Sequence, residues 1–217
     1  MSILSDLDIK RELGEKVIIE HYNERNLGNC SYDVTLGPNF YRTFLDKNKV
    51  YNPYNKQSIL GCWSLRKATT VKDYMAGACS CGCKGQKIDL PDDTLIIMLN
   101  PRETILAHTN EFIGGRGNVT TMMKARSSIG RNFIEICKCA GWGDVGYVNR
   151  WTMEITNNSD YYIPLIVGSR IAQIVFMYTG QVEHPYQSKY QTTDELTILK
   201  EKWQPSDMLP KMYLDKY

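Results

Sequence analysis

Phe133–Thr156 reads FIEICKCAGWGDVGYVNRWTMEIT, and this stretch gives the strongest indication of the fold. Its two ends, Phe133–Cys137 and Asn149–Thr156, are β-prone runs, and the segment between them is rich in the glycine and aspartate of tight turns. In the second run apolar and polar side chains alternate, which places them on opposite faces of a strand. Short strands joined by tight turns are typical of a mainly antiparallel β fold.

Similar runs occur on both sides of this stretch. They are the segments Ser31–Gly37, Thr94–Leu99, Thr104–His108, Asn118–Met123, Tyr161–Val167 and Arg170–Tyr178. The first of them is expected to run into a turn at Gly37. One good helix is predicted, near the N-terminus, where Ser5 is a candidate cap and Gly14 a candidate stop. The pattern predicts a distorted antiparallel β-barrel or jelly roll with a short N-terminal helix.

Two further segments are predicted to be irregular. Residues 46–88 are rich in Lys, Asn, Gly, Ser and Cys with little periodicity, so we expect variable loops with a strand or two. Residues 179–217 are expected to form a C-terminal tail that closes over the functional site. No internal repeat or linker interrupts the chain, and we expect a single domain over residues 1–217.

The composition argues against several classes of partner. The 217 residues include 26 Lys and Arg and 24 Asp and Glu, and the net charge of +2 comes without the basic stripe typical of nucleic-acid binding. No run reaches the roughly 18 apolar residues of a membrane span. The N-terminal residues do not have the pattern of a signal peptide, so we expect a cytoplasmic protein, in the host cytoplasm if a virus encodes it. A small molecule is the expected partner.

The seven cysteines favour free thiols in a reducing compartment, because the count is odd and no secretory signal is present. Cys79, Cys81 and Cys83 lie close together, and the spacing of the outer two is compatible with zinc. A tetrahedral site needs four ligands, and the second knuckle is missing. An exposed thiol-rich loop is therefore the expectation, with a structural zinc site as the alternative.

Lys124–Arg131 reads KARSSIGR and is a candidate phosphate-binding segment. The two hydroxyls of Ser127 and Ser128, the guanidinium of Arg126 and the backbone N–H groups of a helical turn all suit phosphate oxygens. A capped turn with two surface arginines fits the same residues equally well. The spacing alone leaves both interpretations open.

Two acids and an aromatic residue are the other candidates for chemistry. Asp144 lies in a glycine-rich turn and can accept a hydrogen bond from a sugar hydroxyl, while Tyr147 can pack on the sugar ring; a plain hairpin turn is the simpler interpretation. Glu154 lies mid-strand on the polar face. If that face lines a pocket, burial raises the carboxyl pKa and the group can shuttle protons; if the face is solvated, Glu154 is an ordinary strand glutamate.

The C-terminal segment 184–191 reads HPYQSKYQ and offers a lysine, two tyrosines and two glutamines. Such a segment can close over a bound phosphate. The alternative is an irregular tail that aromatic side chains hold in place.

Taken in order along the chain, these motifs resemble the dCTP deaminases, which share a fold with the trimeric dUTPases. The pieces that carry the resemblance are SYDVTLG at 31–37, LNP at 99–101, RSSIGR at 126–131, DVGY at 144–147, Glu154, IAQIVF at 171–176 and KYQ at 189–191. The resemblance covers most of the chain. It implies a dUTPase-like β-barrel subunit and a homotrimer whose active sites lie at subunit interfaces.

The same resemblance implies the roles of individual residues. Glu154 would be the general base and proton shuttle, assisted by Ser127 and Arg131. The residues implied to bind the substrate are Arg126, Ser128, Gln173, Tyr186 and Lys189 at the triphosphate, Asp144 and Tyr147 at the deoxyribose, and Gln191 in the tail. Mg²⁺ would be bound through the triphosphate and not by protein ligands, and dTTP is a possible effector.

The predicted function is hydrolytic deamination of dCTP to dUTP and ammonia, in pyrimidine deoxynucleotide metabolism. Zinc deaminases carry His-x-Glu and Pro-Cys-x-x-Cys motifs, and neither occurs in this sequence, so a zinc-independent reaction is expected. One alternative is a dUTP pyrophosphatase, or a bifunctional enzyme that converts dCTP to dUMP. A second is a catalytically inactive, nucleotide-binding regulatory trimer.

Overall fold

The structure is a computed structural model that describes residues 2–44, 50–77 and 87–215. Within these ranges the strands are β1 (Ser2–Ile3), β2 (Val17–Ile19), β3 (Tyr32–Thr43), β4 (Trp63–Lys67), β5 (Thr69–Thr70), β6 (Leu95–Leu99), β7 (Thr104–Thr109), β8 (Ile113–Gly115), β9 (Val119–Ala125), β10 (Ile134–Ile136), β11 (Trp142–Gly143), β12 (Val148–Asn149), β13 (Thr152–Asn157), β14 (Ile163–Ile166) and β15 (Arg170–Tyr178). The α-helices are α1 (Asp6–Arg11), α2 (Lys56–Cys62), α3 (Val71–Ala76), α4 (Ser127–Gly130) and α5 (Leu196–Lys202). Short 3-10 helices occupy Glu24–Asn26, Pro205–Met208 and Met212–Leu214.

The strands form a curled, mainly antiparallel half-barrel, which confirms the predicted fold class. The main sheet runs β10-β13-β7-β3-β15-β9-β11, with β1 added to β15 and β4 added to β3. Two three-stranded sheets, β12-β8-β2 and β14-β6-β5, complete the fold. The side chains of the inner face form one large apolar core, to which β13, β15 and α1 all contribute. No helix in the described ranges is long and apolar enough to cross a membrane.

The N-terminal helix forms as the sequence predicts. Ser5 and Asp8 make a reciprocal capping box at the start of α1. Ile9 of this helix is fully buried, which fixes α1 against the core. Gly14 follows the helix with a φ of +87°, a conformation that glycine adopts without strain.

Strand β3 continues where the sequence predicts a turn. It runs through Gly37 to Thr43, with a register shift between Leu36 and Phe40. Gly37 is needed for packing and not for a turn, because a Cβ at this position would overlap the ring of His108. His108 is fully buried, and burial lowers the pKa of its imidazole to about 4.

In the part of residues 46–88 that the structure describes, the predicted strand or two is present as β4 and β5, but the prediction of long loops without a helix is wrong. Residues 50–77 contain α2, β4, β5 and α3, and 87–88 are irregular. Side-chain caps start both helices, Asn55 for α2 and Thr70 for α3. Cys79, Cys81 and Cys83 lie outside the described residues, so the structure does not test the prediction of a thiol-rich loop or its zinc alternative.

The C-terminal segment also carries more structure than an irregular tail. It contains α5, and Met208 and Leu209 are buried against a small cluster that includes Tyr41 and Leu106. Trp203 packs over the guanidinium of Arg150, with 4.8 Å between the guanidinium carbon and the ring centroid. The tail is thereby fixed against the barrel close to β12 and the turn before it.

Candidate active site

Glu154 lies at the centre of β13, opposite Leu106 of β7. Its neighbours Met153 and Ile155 point into the core and are fully buried, so the alternation of the sequence places Glu154 on the other face. The carboxylate oxygen Oε2 is buried and has no hydrogen-bond partner in the described part of the chain. Burial raises the pKa of the Glu154 carboxyl above its ordinary value of 4.5.

The backbone beside Glu154 has an unusual conformation. Cys137 and Lys138 both have positive φ angles, +60° and +43°, which non-glycine residues rarely adopt. The Cys137 N–H donates to the Glu154 carbonyl oxygen at 3.1 Å, so this strained turn is held directly against β13. The ammonium of Lys138 opposes the effect of burial and lowers the pKa of Glu154.

The glycine-rich turn forms next to this carboxylate. Gly146 has a φ of +97°, and the Tyr147 N–H donates to the Asp144 carbonyl oxygen at 3.0 Å. Asp144 is exposed, and its side chain accepts a hydrogen bond from the indole N–H of Trp142 at 3.1 Å. The ring of Tyr147 packs edge-on against Trp151, with centroids 5.3 Å apart.

The C-terminal tail is attached to the same turn. The Tyr186 N–H donates to the Val145 carbonyl oxygen at 2.8 Å, and the Tyr186 ring lies 5.2 Å from that of Tyr147, centroid to centroid. The buried Gln191 amide donates to the Gly146 carbonyl at 2.7 Å and accepts from the Val148 N–H at 2.8 Å. Both polar ends of Gln191 are thus used within the chain, and its contact with substrate stays a prediction.

The arginine–serine turn forms α4, whose N-cap is Arg126. Ser127, Ser128 and Arg131 are exposed there. The Arg126 Nε lies 3.0 Å from Asp33 Oδ2 in β3, which leaves the Nη2 end of this guanidinium without a protein partner in the described residues. The predicted phosphate ligands of α4 are therefore accessible to a ligand.

Asp33 is shared by two arginines, because Arg170 Nη1 also lies 3.3 Å from Asp33 Oδ2. Burial raises the pKa of the Asp33 carboxyl, and the charges of Arg126 and Arg170 act in the opposite direction. Gln173 of β15 is paired in register with Asp33 on one side and Lys124 on the other. Gln173 therefore lies at the same end of the sheet as this ion-pair cluster.

Lys189 is placed elsewhere, in the tail. Its ammonium pairs with Asp215, and it lies 5.7 Å from the centroid of the Tyr190 ring. The hydrogen bond that Lys189 donates to Asp215 is the main reason that the pKa of Lys189 is raised. In the described residues no hydrogen bond or ion pair connects Lys189 to α4.

Eight of the eleven predicted site residues form two sets, and the other three, Tyr186, Lys189 and Gln191, lie in the C-terminal tail. The carboxylate set consists of Asp144, Tyr147 and Glu154, and the arginine–serine set consists of Arg126, Ser127, Ser128, Arg131 and Gln173. No hydrogen bond or ion pair joins the two sets in the ranges that the structure describes. Along the chain, β10 lies between them, because α4 precedes it and Cys137, whose N–H donates to the Glu154 carbonyl oxygen, follows it.

Three residues of this region were not singled out by the sequence. Asp33 holds two arginines, Trp142 holds Asp144, and Lys138 faces Glu154. Asp33 lies inside the SYDVTLG motif, which is a usable signal. Trp142 and Lys138 have no comparable signal, because their roles depend on the path of the chain after β10.

A metal centre is a separate question. The described residues bring together no group of three or more His, Cys, Asp and Glu side chains able to hold a metal ion.

Comparison with known proteins bears on the fold and the family. The curled β fold, the buried carboxylate and the exposed arginine–serine turn define a barrel-like protein with a candidate acid–base site. A family model described as dCTP deaminase-like matches residues 3–179. The chain therefore belongs to the dCTP deaminase-like family.

Curated relatives and a solved structure add detail. The "dCTP deaminase, dUMP-forming" of Methanopyrus kandleri is 32% identical over 182 residues, covering 81% of each chain. The protein of the same name from Methanosphaera stadtmanae is 30% identical over 211 residues, covering 93% of this chain and 95% of that one. The crystal structure of 2'-deoxycytidine 5'-triphosphate deaminase from Agrobacterium tumefaciens superposes with a TM-score of 0.54 and 17% identity, over 80% of this chain and 46% of that chain. The structural match supports the fold, and it spans less than half of the bacterial chain.

Proposed function

We propose that this protein deaminates dCTP by hydrolysis, with Glu154 as the group that moves the protons. The observation that carries the proposal is the buried Glu154 Oε2, which has no partner in the described residues, together with the raised pKa that burial causes. A carboxyl whose pKa lies closer to neutrality can both accept and return a proton. The family to which the chain belongs supports the choice of substrate.

The proposed reaction needs only this one shuttle. Glu154 accepts a proton from a water molecule as its oxygen adds to C4 of cytosine, and the proton passes to N3. Glu154 then removes the proton of the new C4 hydroxyl and delivers it to the C4 amine, the C–N bond breaks and ammonia leaves, so that water and dCTP yield dUTP and ammonia. Burial raises the pKa of the Glu154 carboxyl, which makes its carboxylate a stronger base in the two steps that accept a proton.

Substrate binding is proposed to use both sets. Asp144 and Tyr147 would contact the deoxyribose, and the arginine–serine set would bind the triphosphate through Arg126, Ser128 and Gln173. Mg²⁺ would accompany the triphosphate, since the acid of this cluster, Asp33, is already engaged by two guanidiniums.

A homotrimer with active sites at the interfaces would reconcile this mechanism with the separation of the two sets in one chain. The carboxylate set of one subunit would then meet the arginine–serine set of its neighbour. In that arrangement Ser127 and Arg131 would assist Glu154 across the interface. Size determination in solution tests this point, and a monomer that deaminates dCTP at full rate would contradict it.

The product is proposed to be dUMP, the alternative in which one protein performs both hydrolyses. The support is that both curated relatives are named dUMP-forming. The second step would add water at the α-phosphate of dUTP and release pyrophosphate. Asp144 is an exposed carboxylate available to orient that water.

One assay with four readings tests the proposal. Purified protein is incubated with dCTP and with dUTP, with Mg²⁺ present and a zinc-selective chelator added, and ammonia, dUTP, dUMP and pyrophosphate are measured. Ammonia release from dCTP that depends on Glu154 supports deamination, and pyrophosphate release supports the second step. Glu154→Gln is compared with Glu135→Gln, which changes an exposed glutamate on the neighbouring strand β10. Binding without turnover, or full activity of Glu154→Gln, would exclude the proposed mechanism.

A further inference from the structure

Trp142 is an exposed aromatic residue next to Asp144 that the proposed function does not use. It belongs to the two-residue strand β11, which pairs with Met122 and Thr121 of β9 at the end of the main sheet. Its side chain is 50% exposed, which is unusual for an indole beside a candidate site. Its N–H donates to Asp144 Oδ1 at 3.1 Å.

A cavity of about 290 Å³ opens beside this pair. Its lining includes Thr120, Trp142, Asp144, Val145, His184 and Tyr186. The cavity therefore joins the glycine-rich turn to the first part of the C-terminal tail. An aromatic wall with one carboxylate at its edge is suited to the apolar face and hydroxyl group of a sugar.

The hydrogen bond from Trp142 restricts an otherwise free carboxylate. Asp144 is exposed, and its second oxygen, Oδ2, has no hydrogen-bond partner in the described residues. A donor on Oδ1 fixes the plane of the carboxylate and leaves Oδ2 to accept from a ligand. A deoxynucleoside 5'-triphosphate has one free sugar hydroxyl, the 3'-hydroxyl, so this is the donor that Oδ2 would meet.

We propose that Trp142 is a positioning residue, whose indole N–H orients Asp144 to accept a hydrogen bond from the 3'-hydroxyl of the nucleotide. The inference rests on the proposed function, because it takes Asp144 to contact the deoxyribose. It adds the reason why this exposed acid is held in one orientation, and it assigns the cavity to the sugar end of the nucleotide.

The test compares dCTP with 2',3'-dideoxy-CTP, which lacks the 3'-hydroxyl. Binding is measured by calorimetry in a Glu154→Gln background, where no substrate is consumed. Trp142→Phe keeps an aromatic ring but removes the donor, and we expect about tenfold weaker binding of dCTP, the size of one hydrogen bond to a charged group. Binding of the dideoxy nucleotide is expected to change less than twofold.

A double-mutant cycle separates positioning from a structural role. In an Asp144→Ala background, Trp142→Phe is expected to have no further effect on dCTP binding, because the group that it orients is gone. In the enzyme with Glu154 intact, Trp142→Phe is expected to raise KM and leave kcat nearly unchanged. Trp63→Phe is the matched control, since the indole N–H of Trp63 has no partner in the described residues.

Each outcome supports or overturns the inference. Equal weakening of dCTP and dideoxy-CTP by Trp142→Phe would show a role in packing, and unchanged binding of both would show no role; either result overturns the inference and leaves the proposed deamination standing. If the parent protein binds no dCTP and releases no ammonia, the proposed function and this inference both fail.

Discussion

The two sets of site residues differ in how completely the fold prepares them. The fold alone gives Glu154 its environment, because β13 holds it with one carboxylate oxygen shielded from water. The residues of α4 lie exposed on a four-residue helix, where a ligand or a neighbouring subunit can contact them. A raised carboxyl pKa needs a buried group, whereas phosphate binding needs accessible cations. The burial of Glu154 therefore suits acid–base chemistry, and the exposure of α4 suits the binding of an anion.

The largest effect is expected at the buried half. Glu154→Gln keeps the shape of the side chain and removes its ability to accept a proton, so we expect ammonia release to fall by about 10²–10⁴-fold. The loss should appear in kcat, with KM for dCTP changed little. A steady-state assay checks this, and a variant that lost affinity instead would place Glu154 in binding and not in chemistry.

The same substitution tests burial through the pH dependence of stability. The Glu154 carboxyl has a raised pKa in the folded protein, so the folded state binds this proton more tightly than the unfolded state does. Its contribution to stability is full below the ordinary pKa of 4.5 and is lost as the pH rises through the folded value. Glu154→Gln should therefore gain stability relative to the parent as the pH rises from 4.5 through the folded value, measured by denaturant unfolding. A constant difference across this range would mean that the carboxyl is solvated.

The exposed half is expected to give a smaller effect, on binding. Arg126→Lys retains the charge but cannot contact Asp33 and a phosphate through one planar fork. We expect KM for dCTP to rise about 10- to 100-fold with a modest change in kcat. A larger loss in kcat than in affinity would show that the arginine–serine set takes part in the chemical step.

Arg102→Lys is the matched control for this experiment. Arg102 pairs with Asp160 in the same way, at 2.9 Å, but both side chains are largely exposed and neither belongs to the two sets. Its substitution should leave KM for dCTP unchanged, because Arg102 belongs to neither set and an exposed ion pair contributes little to the stability of the fold.

The sequence predicted the buried half of the site better than its connection to the exposed half. The alternation around Glu154 fixes which face each side chain occupies, so its position followed from a period of two residues. The distance between α4 and β13 depends on β10 and on the positive φ angles at Cys137 and Lys138, which no local pattern encodes. The hydrogen bond from Trp142 to Asp144 depends on the same path and was likewise not predictable.

A smaller effect, on the free energy of unfolding, is expected at the C-terminal tail. Gln191→Ala removes both hydrogen bonds that the Gln191 side chain makes to the turn and to β12, and leaves the Gly146 carbonyl and the Val148 N–H without these partners. We expect the free energy of unfolding to fall by about 1–3 kcal/mol. Gln187→Ala, at an exposed position of the same tail, should change it by less than about 0.5 kcal/mol. Equal effects of the two substitutions would contradict the tail's attachment through Gln191.

The tail is ordered by contacts with distant parts of the chain, and this is why its own sequence predicts an irregular segment. Its attachment uses long-range contacts, such as Trp203 over Arg150 and Met208 against Leu106, which no periodicity within the segment reports. Strand β3 shows the same limit. The local sequence at Gly37 predicts a turn, but the strand continues through this residue. Glycine is needed there because the buried ring of His108 leaves no room for a Cβ. Local propensity is overridden in both places by packing with distant residues.

The smallest effect is expected at the ion pair between Lys189 and Asp215. Lys189 is only 21% exposed but Asp215 is 48% exposed, so solvent screens the pair and Asp215→Asn should change the free energy of unfolding by less than about 1 kcal/mol. If Lys189 belongs with the exposed half of the site, releasing it should strengthen binding of the triphosphate by a few fold at low salt, an effect that 0.5 M salt should remove. Glu20→Gln, which releases Lys200 from a comparable pair, is the control. Unchanged affinity in Asp215→Asn would place Lys189 with the structural contacts of the tail and would leave the phosphate half of the site to α4.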